Sequence, residues 1–227
     1  MFNLDEEIVP AQRSTVLRRN LSQELRIGIK NNKLRDMYLI NGSNFITKGI
    51  LNSDLKIKPH SYYMVINKGN KSLHVHYNQE ITEHQVIYDP YKYEDSKKIN
   101  FEKKFFEIRY EIPQGYIDTL PKWYSFKFTY PNYNLIFVRP EFGLSIQTHY
   151  YRNEYWEILE GHPIIINGDK VYYFVENGAQ FQNSINTFHS IINPNREKNK
   201  FIVLKERWNG KFEEEDIIRV FNPNHYQ

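Results

Sequence analysis

The sequence has no cysteine. That excludes disulfides, thiolate nucleophiles, Cys-ligated zinc and iron–sulfur clusters together. Long apolar runs are also missing, and no stretch approaches the roughly 18 residues of a membrane helix. The opening segment MFNLDEEIVP carries three acids and no apolar core, so it does not read as a signal peptide and a cytoplasmic protein is expected. Charge of one sign is equally scarce. Lys+Arg 30 against Asp+Glu 27 leaves a formal +3, too little for attraction to nucleic acid or an anionic membrane to be the main business. The pI of 8.8 leaves room for weak anion binding.

Aromatic residues are abundant, with Tyr 18, Phe 15 and Trp 3 in 227 residues. Together with many β-branched residues they favour strands over helices. A chain of this length forms one large domain or two small ones with a sizeable core. Leu17, Leu21 and Leu25 recur at four-residue spacing behind Ser14 and Thr15, which predicts a short capped helix. The alternation of Leu25, Ile27 and Ile29 is the competing strand reading. Asn41-Gly42-Ser43 between apolar runs predicts a hairpin. Strand-sized runs follow at 61–67, 72–77, 84–89, 105–112 and 124–130, interrupted by a polar connection at 94–104. Further short runs from 144 to 208, with a hairpin at Asn167-Gly168, predict an all-β sandwich or barrel. The expected division is 1–132 and 133–227.

The informative segment is GLSIQTHYYRNEYWEILEG, residues 143–161. On a strand, Gln147, His149 and Tyr151 share a face. A turn at Arg152-Asn153 lets the next strand begin with Glu154, and Trp156 and Ile158 continue its face. His189 follows on a later strand. Two imidazoles and a carboxylate converging inside a barrel suit a divalent metal.

These segments resemble the cupin superfamily. Its first motif runs G-x5-H-x-H, then E and, six residues on, G; here stand Gly143, His149, Tyr151, Glu154 and Gly161. Its second runs G-x5-P-x-G-x2-H-x3-N; here stand Gly178, Ser184, Asn186, His189 and Asn193. The resemblance narrows to the cupin domain of type II phosphomannose isomerases, which carry SLQ-x-H-x-x-R-x-E-x-W and end in a segment like G-x-Y-x-G-E-D-D-I-x-R. This chain has Ser145, Gln147, His149, Arg152, Glu154 and Trp156, then GKFEEEDIIR at 210–219. The match spans about residues 135–220.

The resemblance implies a cupin jelly-roll barrel in the C-terminal half and a metal-dependent mannose-6-phosphate isomerase activity. It assigns His149, Glu154 and His189 to zinc or a similar divalent ion. Gln147 or Tyr151 completes the shell or meets substrate, and Arg152 and Arg219 serve phosphate or enediolate charge. It implies a sugar phosphate as partner, and it admits a homodimer. Two departures qualify it. Tyr151 replaces the second histidine, and Pro and Gly of the second motif are Ser184 and Asn186, although Asn tolerates the positive φ of a Gly position. No Gly-rich phosphate loop is present, so sugar-nucleotide synthesis is not expected, and no cofactor-binding residues are assigned beyond the metal ligands. The alternative is a non-catalytic cupin that binds sugar or serves assembly. His74-Val75-His76 with Glu80 repeats the H-x-H-x3-E spacing. It is read as an exposed strand, and a degenerate second barrel in the N-terminal region is left open.

Overall fold

Alternation of apolar and polar side chains builds two sets of antiparallel sheets. The computed structural model describes residues 4–30, 36–48, 50, 54–96, 101–102, 104–113, 119–120, 124–211 and 216–224. The chain divides into two units, Met1–Lys92 with Gly168–Tyr172, and Tyr93–Asn167 with Tyr173–Gln227. The expected division at 132/133 falls inside a hairpin of the second unit, where Ser125–Tyr130 pairs with Tyr133–Val138 along six residue pairs. No helix among the described residues is long and apolar enough to cross a membrane.

In the first unit, one sheet orders the strands Asp5–Val9, Leu73–Tyr77, Leu25–Lys30 and Asp54–Ile57. The other contains Lys170–Tyr172, Asn44–Ile46, Met37–Asn41, Tyr62–Asn67, Leu17–Arg19 and Gln85–Tyr88. Leu25, Ile27, Leu39, Val65, Val75 and Tyr77 lie in the shared core. The helix expected behind Ser14 does not form, because period-two burial overrides the leucine spacing. Leu25 and Ile27 are fully buried while Leu21 is 40% exposed. The Asn41–Asn44 hairpin is present, with Gly42 at φ +59. His74 is part-exposed and bonds Glu6 at 2.7 Å. His76 corrects the exposed-strand reading, since it is buried.

In the second unit, Ser125–Tyr130, Tyr133–Val138, Ile202–Gly210, Arg152–Glu160 and Gln180–Asn183 form a five-stranded sheet in that order. The other sheet orders Ile217–Phe221, Ile146–His149, His189–Ile192 and Ile164–Asn167. The two antiparallel sheets share one core, as expected of an all-β sandwich or barrel. One core holds Ile136, Trp156, Ile158, Ile165, Ile191 and Leu204. A second, of Phe126, Phe128, Phe137 and Val203, is capped by Phe106. Phe126 and Phe137 stack at 4.5 Å and Phe106 meets both edge-on, an arrangement favoured by the ring quadrupole. The run expected as a strand at 105–112 is therefore a helical turn, Lys104–Glu107, and Ile108 beyond it is 87% exposed.

Candidate metal centre and its cavity

Strand pairing places the polar residues in one row. Gln147 pairs with His189 on one side and Arg219 on the other, so the three share a face, with His149 two residues further on. Glu154 belongs to the other sheet of the unit, opposite Asn183 and Trp208. His149, Glu154 and His189 are all buried, and one ligand atom from each lies within 4.8 Å of the others.

Glu154 is the hub. Its Oε1 accepts from Arg152 Nε at 2.9 Å and lies 3.0 Å from His149 Nε2. Its Oε2 accepts from Trp156 Nε1 at 3.3 Å and faces His189 Nε2 at 3.5 Å. Burial alone would raise its pKa, but the His149 hydrogen bond and the charges of His189, His149 and Arg152 win and hold it at about 2. Burial lowers His189 to about 4, against the pull of Glu154. His189 Nδ1 lies 2.9 Å from the Thr187 carbonyl, which only accepts, so the ring proton sits on Nδ1. At neutral pH the Nε2 lone pair has no hydrogen-bond partner and looks at a carboxylate oxygen. Two buried acceptors facing each other are repulsive until a cation comes between them.

The donor set, two imidazole nitrogens and a carboxylate, is one that zinc and similar ions take. The Thr187 contact supplies the outer partner that orients a metal-binding histidine. The residues present therefore fit a divalent cation. Arg152 brings one positive charge into the cluster, shared between Glu154 and Asp216, with Nη1 3.3 Å from Asp216 Oδ2 and Nη2 3.3 Å from His149 Nε2. One guanidinium facing two carboxylates leaves room for further positive charge.

Beside this cluster opens a cavity of about 330 Å³, lined by Gln147, Arg152, Glu154, Lys127, Glu206 and Arg219 among others. Gln147 accepts from Ser145 Oγ at 2.8 Å. Of the expected site residues, Tyr151 alone is not brought in. It is 57% exposed. The strand ends at His149, and Asp216 Oδ1 accepts from the amides of Tyr150 at 2.6 Å and Tyr151 at 3.1 Å. Position 151 thus belongs to a pinned turn, where strand alternation no longer applies. Arg152 was expected to serve substrate phosphate or enediolate charge. Its guanidinium is engaged within the ligand cluster, although it also lines the cavity.

The second motif acts as scaffold around His189. Asn186 adopts φ +60, as a Gly position would require, and its amide donates to the His149 carbonyl at 2.8 Å. Asn193 Nδ2 donates to the carbonyls of Val138 and Lys200, both at 2.9 Å. Sequence reading gave no role to Asp216, Glu206 or Lys127. Glu206 had a signal, being a charge in the inward row Ile202, Leu204, Glu206. Residues 212–215 of the C-terminal signature lie outside the described residues.

A family described as "Mannose-6-phosphate isomerase C-terminal" matches residues 113–222. The match covers just under half of the chain. The matched region holds every residue of the cluster and cavity named above. Comparison with curated proteins returns no match. Among solved structures, a cupin 2 conserved barrel domain protein from Leptotrichia buccalis is 12% identical with TM-score 0.31, covering 93% of this chain and 80% of its own. A salicylate 1,2-dioxygenase from Pseudaminobacter salicylatoxidans is 8% identical with TM-score 0.30, covering 89% of this chain and 69% of its own. Likeness at this level bears on neither chemistry nor substrate.

Proposed function

We propose that the second unit interconverts mannose 6-phosphate and fructose 6-phosphate through an enediolate, with a divalent metal held by His149, Glu154 and His189. The observation that carries the reading is the unpartnered lone pair of His189 Nε2 facing Glu154 Oε2 at 3.5 Å, inside a region that matches an isomerase family. A divalent ion there would polarise the substrate oxygens at C1 and C2. Arg219 and Lys127 supply cations on the cavity wall for a phosphate, with Arg able to pair bidentately. The Gln147 amide meets sugar hydroxyls. Arg152, shared among Glu154, Asp216 and His149, positions the ligands and balances their charge.

The test is conversion of mannose 6-phosphate by purified protein with zinc, manganese or cobalt, together with elemental analysis. Expected are about one metal per chain, fructose 6-phosphate as product, and loss of both after chelation or in His189→Ala. No product with any of the metals would end the isomerase reading. Tyr151 outside the cluster and the Arg152 guanidinium beside His149 favour a second reading, metal-independent binding of a sugar phosphate. Metal-free protein that binds mannose 6-phosphate equally well as wild type and as His189→Ala would select it.

A further inference from the structure

Isomerisation needs a group that takes a proton from one carbon and returns it to the next. Glu154 is committed to the ligand cluster. A different carboxyl, on a different strand, stands in the cavity wall. Glu206 is 6% exposed and lines the cavity. Its Oε1 accepts from Asn134 Nδ2 at 2.7 Å, while its other oxygen is not among the buried unpartnered atoms and reaches the cavity. Its strand also carries Ile202 and Leu204 into the core, so a carboxyl at this position costs stability that an apolar residue would not.

The Asn134 contact suits a group that changes protonation state. Asn134 Nδ2 donates to the carboxylate, while Asn134 Oδ1 is buried without a partner. Rotating the amide by half a turn presents Oδ1 to the same oxygen, where a protonated Glu206 would donate to it. Both states of the acid therefore find a hydrogen bond. The charged groups that face Glu206 are Lys127 from the strand Ser125–Tyr130, and Arg152 and Glu154 from the strand Arg152–Glu160. Burial, the largest influence, pushes the Glu206 pKa up, against the hydrogen bond from Asn134 and the charges of Lys127 and Arg152. A carboxyl raised by burial is suited to moving protons near neutral pH.

We propose that Glu206 is the carboxyl that carries the proton between C2 of the aldose phosphate and C1 of the ketose phosphate. This role rests on the isomerase reading above. The Glu206 carboxylate takes the proton from C2. The C2–H electron pair becomes the C1–C2 double bond, and the C1 carbonyl pair moves onto oxygen, giving the enediolate. The hydroxyl proton on O2 passes to O1, and the electron pair on O2 re-forms a carbonyl at C2. The C1–C2 pair then takes the proton back from Glu206 onto C1. No external oxidant or reductant enters.

The experiment follows wild type, Glu206→Gln and Glu206→Asp with mannose 6-phosphate and metal in D2O, reading fructose 6-phosphate and deuterium at C1 and C2 by NMR. Glu206→Gln keeps an acceptor for Asn134. It is expected to lose turnover and exchange by about 10²–10⁴-fold while substrate affinity, metal content and circular dichroism stay within about twofold of wild type. Glu206→Asp is expected to recover part of the activity with its pH limb moved to a lower value. Wild-type exchange in Glu206→Gln would overturn the role and leave the isomerase reading standing. Loss of binding and metal together with activity would overturn it in favour of a structural part. An inactive wild type would remove the isomerase reading, and this role with it.

Discussion

Each unit pairs an arginine with a glutamate, partly buried in the first and fully buried in the second, and the two pairs are finished differently. In the first, Arg18 forks onto both oxygens of Glu7 at 3.1 and 2.8 Å, and Tyr77 Oη donates to Glu7 at 2.6 Å. Tyr63 and His84 close the other side at 2.6 Å. His84 Nε2 is left bare, and burial, then the charge of Arg18, lowers the pKa of the ring. In the second, Arg152 divides between Glu154 and Asp216, and the bare nitrogen of His189 faces a carboxylate. The first cluster is matched donor for acceptor around its carboxylate. The second holds a surplus of electron pairs beside a cavity. A buried ion pair alone does not mark a site; unbalanced acceptors do.

The largest effect should separate the two pairs by stability. Asp216→Ala leaves the buried Arg152 and two turn amides short of an acceptor, and should cost about 3–5 kcal/mol. Glu7→Ala strands an arginine whose side chain is 12% exposed, opposite a carboxylate that is 26% exposed, and should cost about 1–3 kcal/mol. Trp156 and Trp208 lie in the second unit and the first unit's sequence has no tryptophan, so urea unfolding followed by tryptophan fluorescence does not report on the first unit, which amide exchange reads. Equal losses would erase the distinction.

A second difference lies in acid. In metal-free protein the folded state holds His189 at about 4 and Glu154 at about 2, below their unfolded values of about 6.5 and 4.3. The unfolded chain binds more protons, so stability is present above about pH 6.5 and declines as pH falls, first through His189 and then through Glu154. His189→Gln should flatten the decline between about pH 6.5 and 4, where His189 contributes on the order of 3 kcal/mol. A slope unchanged by the substitution would show that His189 is not what titrates.

The smallest effect tests the scaffold. Asn186→Ala forces a Cβ-bearing residue without a side-chain amide into φ +60 and should cost about 1 kcal/mol, whereas Asn186→Gly should stay within about 0.5 kcal/mol of wild type. Melting temperatures distinguish the two. If alanine is as good as glycine, the turn does not depend on that backbone conformation.

How much could be read beforehand follows from how local each cause is. His149, Glu154 and His189 were legible as a cluster because strand alternation and motif spacing are properties of short segments. Asn186 was legible because its tolerance of positive φ is intrinsic to the residue. Tyr151 was misplaced because an aspartate 65 residues away captures its amide, which no local pattern announces. The strand at Leu25–Lys30 lost to a helix reading because Leu21, the middle of the leucine series, is on a loop. Phe106 turned into a helix because the aromatic surface it covers is assembled from strands that follow it. Glu206 was visible in its row but carried no meaning until a cavity stood beside it.

Gly210 shows how far the site extends beyond its chemistry. It sits at φ +115 opposite Arg152 in the pairing of two strands, and a Cβ there would come 2.3 Å from the Tyr151 carbonyl oxygen and 3.0 Å from the Arg152 Cα. Any side chain at this position would shove the backbone from which His149 and Arg152 hang. In a saturation screen scored on substrate turnover, position 210 should tolerate as few alternatives as a ligand does, although it has no side chain to offer. A map of intolerant positions would therefore outline the mechanical footing of the site as well as its reactive groups.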